Sequence, residues 1–270
     1  MPVGKCPMCL LEKELVRSHL IPAALYDYCR TDGASPVRVG DGVVMHTDRQ
    51  TKAYLLCVEC EDILNKGGES WTNTKLATVE HAFPLYDLLM NSYRAFEDAT
   101  GGIYFAAANP DFDFQSLTHF AMGIFWKASV HSWKGGQRDP LIELGPYSDP
   151  IRTWLRGVSG FPKNVCITVT LSNPQRALVT LNEPTQTMFK KWHTFMLHVP
   201  GVLFMLNIGK TIELDMRDIC FYANLAHPVF LSEDVTGQWN KQLGDHYREC
   251  RKSKSYLESL AKQPMGKSHE

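Results

Sequence analysis

The sequence lacks a strong excess of charge of either sign. Its 270 residues include 28 Lys and Arg against 29 Asp and Glu, which gives a formal net charge of -1. Proteins that bind a polyanion through their overall charge are strongly basic, so this balance excludes broad electrostatic attraction to nucleic acid. A contact with phosphates would need a local basic patch, a metal ion or a partner that delivers the substrate.

Long apolar runs are also missing, although 44% of the residues are apolar and can form a sizeable core. The most apolar window, 195–208, is interrupted by Pro200 and Gly201 and is too short to span a bilayer. The N-terminus, Met1 to Lys5, does not begin an apolar segment typical of a signal peptide. We therefore expect a cytoplasmic protein without a membrane segment.

Cysteine, by contrast, is plentiful, and half of the eight cysteines form two Cys-x-x-Cys pairs, here called the knuckles. The first knuckle is Cys6 to Cys9 and the second is Cys57 to Cys60. Four thiolates at this spacing predict a tetrahedral, structural zinc site (Zn²⁺). Zinc–thiolate ligation also fits a reducing compartment better than disulfides do. The other four cysteines have no motif spacing and are interpreted as free, buried thiols: Cys29, Cys166, Cys220 and Cys250.

The order of predicted elements indicates an α+β fold in two parts. Residues 1–80 read as knuckle, strand, loop, strand, knuckle and helix, and Gly67-Gly68 is predicted to end that helix. Residues 81–262 are predicted to form a helical segment followed by an α+β domain with an antiparallel sheet, whose role the sequence leaves open. Residues 263–270 are predicted to be a disordered tail.

Several elements of the second part can be placed from their patterns. Helices are expected at 84–97, after a cap at Ser116, and after Ser232. Strands are expected at 165–171, 177–181, 195–199 and 202–208, with turns at 182–184 and a hairpin at Pro200-Gly201. On the second helix, Trp126 is interpreted as a core residue. Lys127 is interpreted as part of a solvated face, with a substrate groove as the alternative.

The segment Ser18-His19-Leu20-Ile21-Pro22 lies between the two knuckles. The order of these features resembles that of the HNH endonuclease family, whose fold is the His-Me or ββα-metal finger. The order is first knuckle, Ser-His-x-x-Pro segment, loop, second knuckle and helix. The resemblance covers roughly residues 5–70. In zinc-bearing members of that family the order is Cys-x-x-Cys, Asp-His-x-x-Pro, a loop asparagine, and a second Cys-x-x-Cys.

The resemblance implies a metal-dependent endonuclease that hydrolyses phosphodiester bonds of DNA, or of RNA. His19 matches the general base, because an imidazole has a pKa near the working pH. Glu61, directly after Cys60, stands where the family places a metal ligand on the helix. A carboxylate there suits a hard divalent cation, and the resemblance implies Mg²⁺ or Mn²⁺ at the reaction centre.

The sequence departs from the family pattern at two positions. Ser18 replaces the usual metal-binding Asp, and a neutral hydroxyl is a weaker ligand for Mg²⁺. Ser18 stays a candidate ligand, and Glu69 or Asp62 could supply the missing carboxylate. The loop asparagine that orients the base has no single match, and three residues remain open for that role: His46, Asp48 and Gln50.

Other interpretations stand beside these. His19 could be a core histidine bonded to a backbone carbonyl, and Glu61 could be a solvated carboxylate favoured by the helix dipole. The whole chain could then be a catalytically degenerate zinc scaffold that binds a partner. For the enzyme, the expected partners are DNA and an activating protein or a second copy of the chain, as in bacterial defence against foreign DNA.

Overall fold

The computed structural model describes residues 1–30, 36–40, 42–78, 80, 82–133, 139–173, 181–188, 192–232 and 235–262. Its helices are α1 (Ala23–Asp27), α2 (Val58–Leu64), α3 (Ser70–Thr72), α4 (Pro84–Met90), α5 (Phe114–Val130), α6 (Ser148–Leu155), α7 (Ile212–Met216), α8 (Val235–Glu249) and α9 (Lys254–Lys262). Its strands are β1 (Val3–Lys5), β2 (Glu12–Glu14), β3 (Arg17–His19), β4 (Val37–Gly40), β5 (Val43–His46), β6 (Lys52–Tyr54), β7 (Tyr93–Asp98), β8 (Gly101–Phe105), β9 (Val165–Ser172), β10 (Asn182–Met188), β11 (His193–Val199), β12 (Val202–Ile208), β13 (Pro228–Ser232) and β14 (Arg251–Lys252). The mixed α and β class predicted from the sequence is confirmed. Within these ranges no helix combines the length and the apolarity needed to cross a bilayer.

A seven-stranded sheet forms the centre of the molecule. Its strand order is β10-β11-β12-β9-β13-β8-β7, and all neighbours are antiparallel except β9 and β13. Every residue of β9 is buried, as expected for a strand covered on both faces. The strands predicted at 165–171, 195–199 and 202–208 are confirmed within two residues. The hairpin between β11 and β12 turns at Pro200-Gly201, where Gly201 has a φ of 79° that favours glycine.

Two predictions about local structure along this sheet are wrong. The helix expected at 84–97 ends at Met90, because residues from Tyr93 onward pair with β8 instead. The turn expected at 182–184 is the beginning of β10, which pairs with β11 through an irregular register. The strand predicted at 177–181 lies almost wholly outside the described residues, and the tail predicted at 263–270 lies fully outside them.

Helix α5 runs through the core, where most of its side chains are buried. Its cap is Asp113 rather than Ser116, because the Asp113 carboxylate accepts a 2.9 Å hydrogen bond from the Ser116 backbone N–H. Trp126 is buried as predicted, with 1% of its surface exposed. The solvated face predicted for Lys127 is wrong, because this lysine is equally buried.

The helix after the second knuckle does not stop at Gly67-Gly68. α2 continues through a π-helical turn, Asn65–Glu69, into α3, so residues 58–72 form one helical run. A Cβ atom on Gly68 would lie 2.4 Å from the Ser116 carbonyl oxygen on α5. The glycine pair therefore permits a close crossing of two helices, which is a different use of glycine from a helix stop.

One continuous hydrophobic core includes residues from both sides of the predicted boundary at residue 80. Met8 and Leu20 from the N-terminal part belong to the same buried cluster as Phe120 and Phe204. Arg152 on α6 also donates a 2.8 Å hydrogen bond to the Met8 carbonyl. The division into independent domains stays a prediction.

Candidate functional site

The four knuckle cysteines come together at one point. Their sulfur atoms all lie within 4.8 Å of one another, and Cys9 Sγ is 3.9 Å from Cys57 Sγ. In a tetrahedral zinc site with Zn–S bonds of about 2.3 Å, two sulfurs are about 3.8 Å apart. This cluster can therefore hold a metal ion such as zinc.

Local structure explains why the knuckles meet. The first knuckle turns between β1 and β2, and Leu10 completes the turn with a φ of 66°. The second knuckle begins α2, where Cys57 is the N-cap and the helix dipole favours negatively charged sulfur. Outside the cluster, Lys13 Nζ lies 2.8 Å from Glu59 Oε1 and links β2 to α2.

Without a cation, the buried thiol of Cys57 favours its protonated form. Burial raises the pKa of Cys57 to about 11, since a thiolate is poorly solvated there. A bound metal ion reverses this preference, because its positive charge stabilises the thiolate form of its ligands.

His19 is placed by a short antiparallel pair next to this cluster. It ends β3 and lies opposite Lys52 on β6, and its half-buried ring makes a 2.8 Å hydrogen bond from Nε2 to Gln50 Oε1. Of the three residues left open by the sequence for orienting the base, Gln50 therefore contacts it. Asp48 instead pairs with Arg30, and His46 packs against the ring of Tyr256.

The hydrogen bond with Gln50 fixes the protonation of the ring. An amide oxygen can only accept, so Nε2 carries the proton and Nδ1 keeps a free electron pair in the neutral ring. Burial lowers the pKa of His19 below its ordinary value of 6.5, and nearby Lys52 and Lys127 act in the same direction. The neutral, proton-accepting form is therefore favoured near pH 7.

Glu61 lies in the first turn of α2, directly after Cys60. Its Oε1 atom is buried and has no hydrogen-bond partner among the described residues. Its negative charge raises the pKa of His19, which places the carboxylate within electrostatic range of that ring. A buried carboxylate oxygen without a donor is costly, and a cation or an ordered water would satisfy it.

Ser18 has a structural partner that argues against the predicted metal ligation. Only 1% of Ser18 is exposed, and its Oγ accepts a 3.1 Å hydrogen bond from the Leu56 backbone N–H. Consecutive side chains of a strand point to opposite faces, so Ser18 and His19 face away from each other. The Ser18 hydroxyl therefore holds the strand pair together, and metal ligation by Ser18 stays a prediction.

Glu69 is close to His19, but it is already engaged. Lys127 Nζ lies 3.1 Å from Glu69 Oε1 and donates a 2.8 Å hydrogen bond to the His19 carbonyl oxygen. The side chain of Glu69 is 17% exposed and that of Lys127 is 2% exposed, so this is a buried ion pair. Glu69 therefore neutralises the positive charge of Lys127, which contacts the backbone of β3 at His19. Asp62, the other carboxylate considered, pairs with Lys66 on the surface.

The structural role of Lys127 was missed in the sequence, although a signal for it exists. Apolar residues occupy every face of α5 around it, including Met122, Ile124 and Trp126. A helix that is apolar all round is buried, so a lysine within it must have polar partners. The sequence leaves Gln50 as one of three candidates for orienting the His19 ring, because residue spacing does not show how a loop folds back onto a strand.

Among the described residues, the cysteine cluster alone brings three or more potential His, Cys, Asp or Glu metal ligands together. No family model matches this chain, and no curated protein or solved structure matches it either.

Proposed function

We propose that this protein is a metal-dependent endonuclease that hydrolyses phosphodiester bonds of DNA or RNA, with His19 as the general base. The observation that carries the proposal is the position of His19, fixed by Gln50 in its proton-accepting tautomer near the unpartnered carboxylate of Glu61. The succession of β3, β6 and α2 around a four-cysteine cluster is the order expected of a His-Me finger.

The roles of the protein's own residues follow from this geometry. Nδ1 of His19 removes a proton from the attacking water, and Gln50 holds the ring in the tautomer that can do so. Lys127 fixes the His19 backbone through its carbonyl oxygen, and Glu69 balances the lysine's charge. The cysteine cluster keeps the helix that carries Glu61 against the strand that carries His19.

The residues present fit a divalent cation beside His19. The unpartnered oxygen of Glu61 is a suitable ligand for Mg²⁺ or Mn²⁺, which commonly keep several water ligands and use few protein ones. When bound, such a cation would stabilise negative charge on the phosphate and on the leaving oxygen. With Ser18 turned away and Glu69 paired, Glu61 is the main protein ligand in this proposal.

The near-neutral charge of the chain supports delivery of the substrate by a partner. A net charge of -1 gives little long-range attraction to a polyanion, so an activating protein or a second copy of the chain would supply it. A cytoplasmic role in bacterial defence against foreign DNA is likewise a prediction from the charge of the chain.

A plasmid-nicking assay tests the proposal. Zinc-loaded wild-type protein is incubated with supercoiled plasmid, or with labelled single-stranded RNA, in Mg²⁺ or Mn²⁺. We expect cleavage that falls by at least about 100-fold in His19→Ala, the usual contribution of a general base. The exposed His193 gives a matched control, and His193→Ala is expected to cleave like wild type. Equal cleavage by His19→Ala and wild type at equal zinc content would refute the proposal.

A second candidate function, a catalytically degenerate scaffold that binds a partner, has its own supporting observation. The residue that replaces the usual metal-binding Asp, Ser18, is committed to holding the strand pair. The scaffold interpretation predicts that wild type is inert with every divalent cation and with candidate partners present. It further predicts that a partner binds wild type and Glu61→Gln with equal affinity.

A further inference from the structure

A separate cavity of about 290 Å³ lies on the other part of the molecule, between β9 and residues 212–223. Two cysteines line it: Cys166 on β9, and Cys220 just after the 3₁₀ turn Arg217–Ile219. Lys163 and Arg217 also line the cavity, and both are exposed cations. None of the residues proposed for phosphodiester cleavage lines this cavity.

The two thiols are held side by side. Cys166 is 1% exposed and Cys220 is 2% exposed, and both belong to one small apolar cluster with Ile212. The Cys166 thiol donates a 3.7 Å hydrogen bond to the carbonyl oxygen of Met216, which lines the same cavity. A 2.7 Å hydrogen bond from the Phe221 N–H to the Ile167 carbonyl holds the adjoining backbone segments together. Both cysteines are free, so their sulfurs are available for reaction.

The surroundings of the two sulfur atoms are unequal. Interaction with the neighbouring Cys166 thiol and with backbone groups of Ala223, Ile167 and Tyr222 favours the charged form of Cys220. These contacts lower the pKa of Cys220 to about 6, although burial acts in the opposite direction. The same interaction, together with burial, raises the pKa of Cys166. Cys220 is therefore the thiolate of the pair, and Cys166 carries the proton.

We propose that Cys220 and Cys166 form a redox-active pair that a small hydroperoxide converts into a disulfide. The thiolate of Cys220 attacks one oxygen of the peroxide, the O–O bond breaks, and the departing oxygen takes up a proton as water or an alcohol. Cys220 is then a sulfenic acid. The sulfur of Cys166 attacks it, an S–S bond forms, and the hydroxyl leaves with the Cys166 proton as water. Two thiols lose two electrons and the peroxide gains them.

The cavity fits this class of oxidant. Its volume admits hydrogen peroxide or a short alkyl hydroperoxide, whereas a large substrate would not reach sulfurs this deeply buried. This inference does not depend on nuclease activity.

Peptide mapping tests the proposal on the full-length, zinc-loaded protein. After brief treatment with hydrogen peroxide and blocking of free thiols, trypsin releases peptides 164–176 and 218–241, which contain the two cysteines. We expect them joined, with a mass lower by two hydrogens than the sum of the separate peptides, and separated again by a reductant. Zinc content is measured in parallel, because oxidation of the knuckle cysteines would release zinc, whereas oxidation of the Cys166–Cys220 pair would not.

The variants distinguish the two roles. In Cys166→Ala the sulfenic acid on Cys220 cannot be resolved, so dimedone should label Cys220, whereas Cys220→Ala should leave Cys166 unlabelled. Cys29→Ala, which removes a thiol outside the pair, should form the 166–220 link as wild type does. Absence of the linked peptide in wild type, or labelling of Cys220 in Cys166→Ala no stronger than that of Cys29, would overturn the proposal. The wild-type mapping decides the matter even if a variant fails to fold.

Discussion

At the scale of single residues, the histidine site depends on a lysine that is distant in sequence. Lys127 reaches from α5 to the His19 carbonyl and to Glu69; the lysine is buried and the glutamate side chain is 17% exposed. A buried ion pair adds little net stability compared with apolar residues, but removal of one partner leaves an unpaired buried charge. The pair therefore makes the position of the His19 strand sensitive to either of its members.

Lys127→Met is expected to lower the free energy of unfolding by about 3–5 kcal/mol, since Glu69 is left buried without its cation. Lys66→Met is the matched control, because it breaks the exposed pair with Asp62 and should cost less than about 1 kcal/mol. Denaturant unfolding measures both. The double variant Lys127→Met with Glu69→Gln should recover part of the loss. Equal costs for the two single variants would contradict a buried pair.

The pH dependence of cleavage should follow the titration of His19. Burial lowers its pKa below 6.5, and the base acts in its neutral form, so the rate should rise with pH and level off near neutrality. Gln50→Leu removes a hydrogen bond that raises the pKa of His19, so the inflection of the variant's pH–rate profile should move to lower pH. The maximal rate of the variant should also be lower. Steady-state rates between pH 5 and about 8 test this, and an inflection at or above about 7 would count against His19 as the base.

At the scale of elements, the helical run from 58 to 72 connects the metal cluster to α5. It begins at the second knuckle, carries Glu61 in its first turn and crosses α5 at Gly68. The close crossing brings Glu69 within reach of Lys127. The crossing therefore links the position of the histidine strand to the packing of the central helix.

Gly68→Ala is expected to destabilise the protein by about 1–3 kcal/mol or more, because the added methyl group would overlap backbone atoms of α5. Gly160→Ala is the control, since a Cβ at Gly160 would meet no atom of the described residues within 4 Å, and it should change stability by less than about 0.5 kcal/mol. Thermal melting of both variants checks the difference. A Gly68→Ala protein as stable as wild type would show that the helices are farther apart than described.

The sequence predicts some of these elements well, and physical reasons explain the others. The knuckles and the strands β9, β11 and β12 follow from local pattern, since cysteine spacing and runs of apolar residues need no knowledge of distant contacts. The sequence-based predictions for β7 and for the helical run through Gly67-Gly68 are wrong, because the secondary structure of both segments depends on contacts with residues far along the chain. An edge strand pairs only when β8 is beside it, and a glycine pair continues a helix when another backbone lies against it.

The candidate site likewise has residues that the sequence predicts and contacts that it does not predict. His19, Glu61 and the four cysteines can be proposed from motif order alone. The sequence offers Ser18 and Glu69 as candidate metal ligands, because it does not show the backbone partner of Ser18 or that Lys127 arrives from α5 to pair with Glu69. Long-range partners such as these become visible only in three dimensions.

At the scale of the whole molecule, the cysteine cluster is part of the main core. Met8, between the first two cysteines, is fully buried, and the Arg152 side chain holds its carbonyl. Cys6 and Cys60 belong to the same hydrophobic core as apolar side chains of α5 and of the large sheet. A metal ion bound by the knuckles would therefore stabilise the chain well beyond residue 80.

Removal of the metal is expected to lower the melting temperature in a single transition that includes the large sheet. Cys9→Ser should lose zinc and show the same shift, whereas Cys29→Ser, outside the cluster, should keep both zinc and stability. Zinc content and circular dichroism melting, with and without a chelator, measure this. Two separate transitions, with only one sensitive to the chelator, would instead indicate two independent domains.

The proposed cleavage requires a cation between His19 and Glu61, and anomalous diffraction from crystals of the zinc-loaded protein soaked in Mn²⁺ would locate such an ion. The predicted result is a manganese peak beside the Glu61 carboxylate and facing His19, distinct from the zinc peak at the cysteines and absent in Glu61→Gln crystals. A map with zinc at the cysteines, and with no manganese near His19 at saturating Mn²⁺, would contradict metal-dependent cleavage at His19.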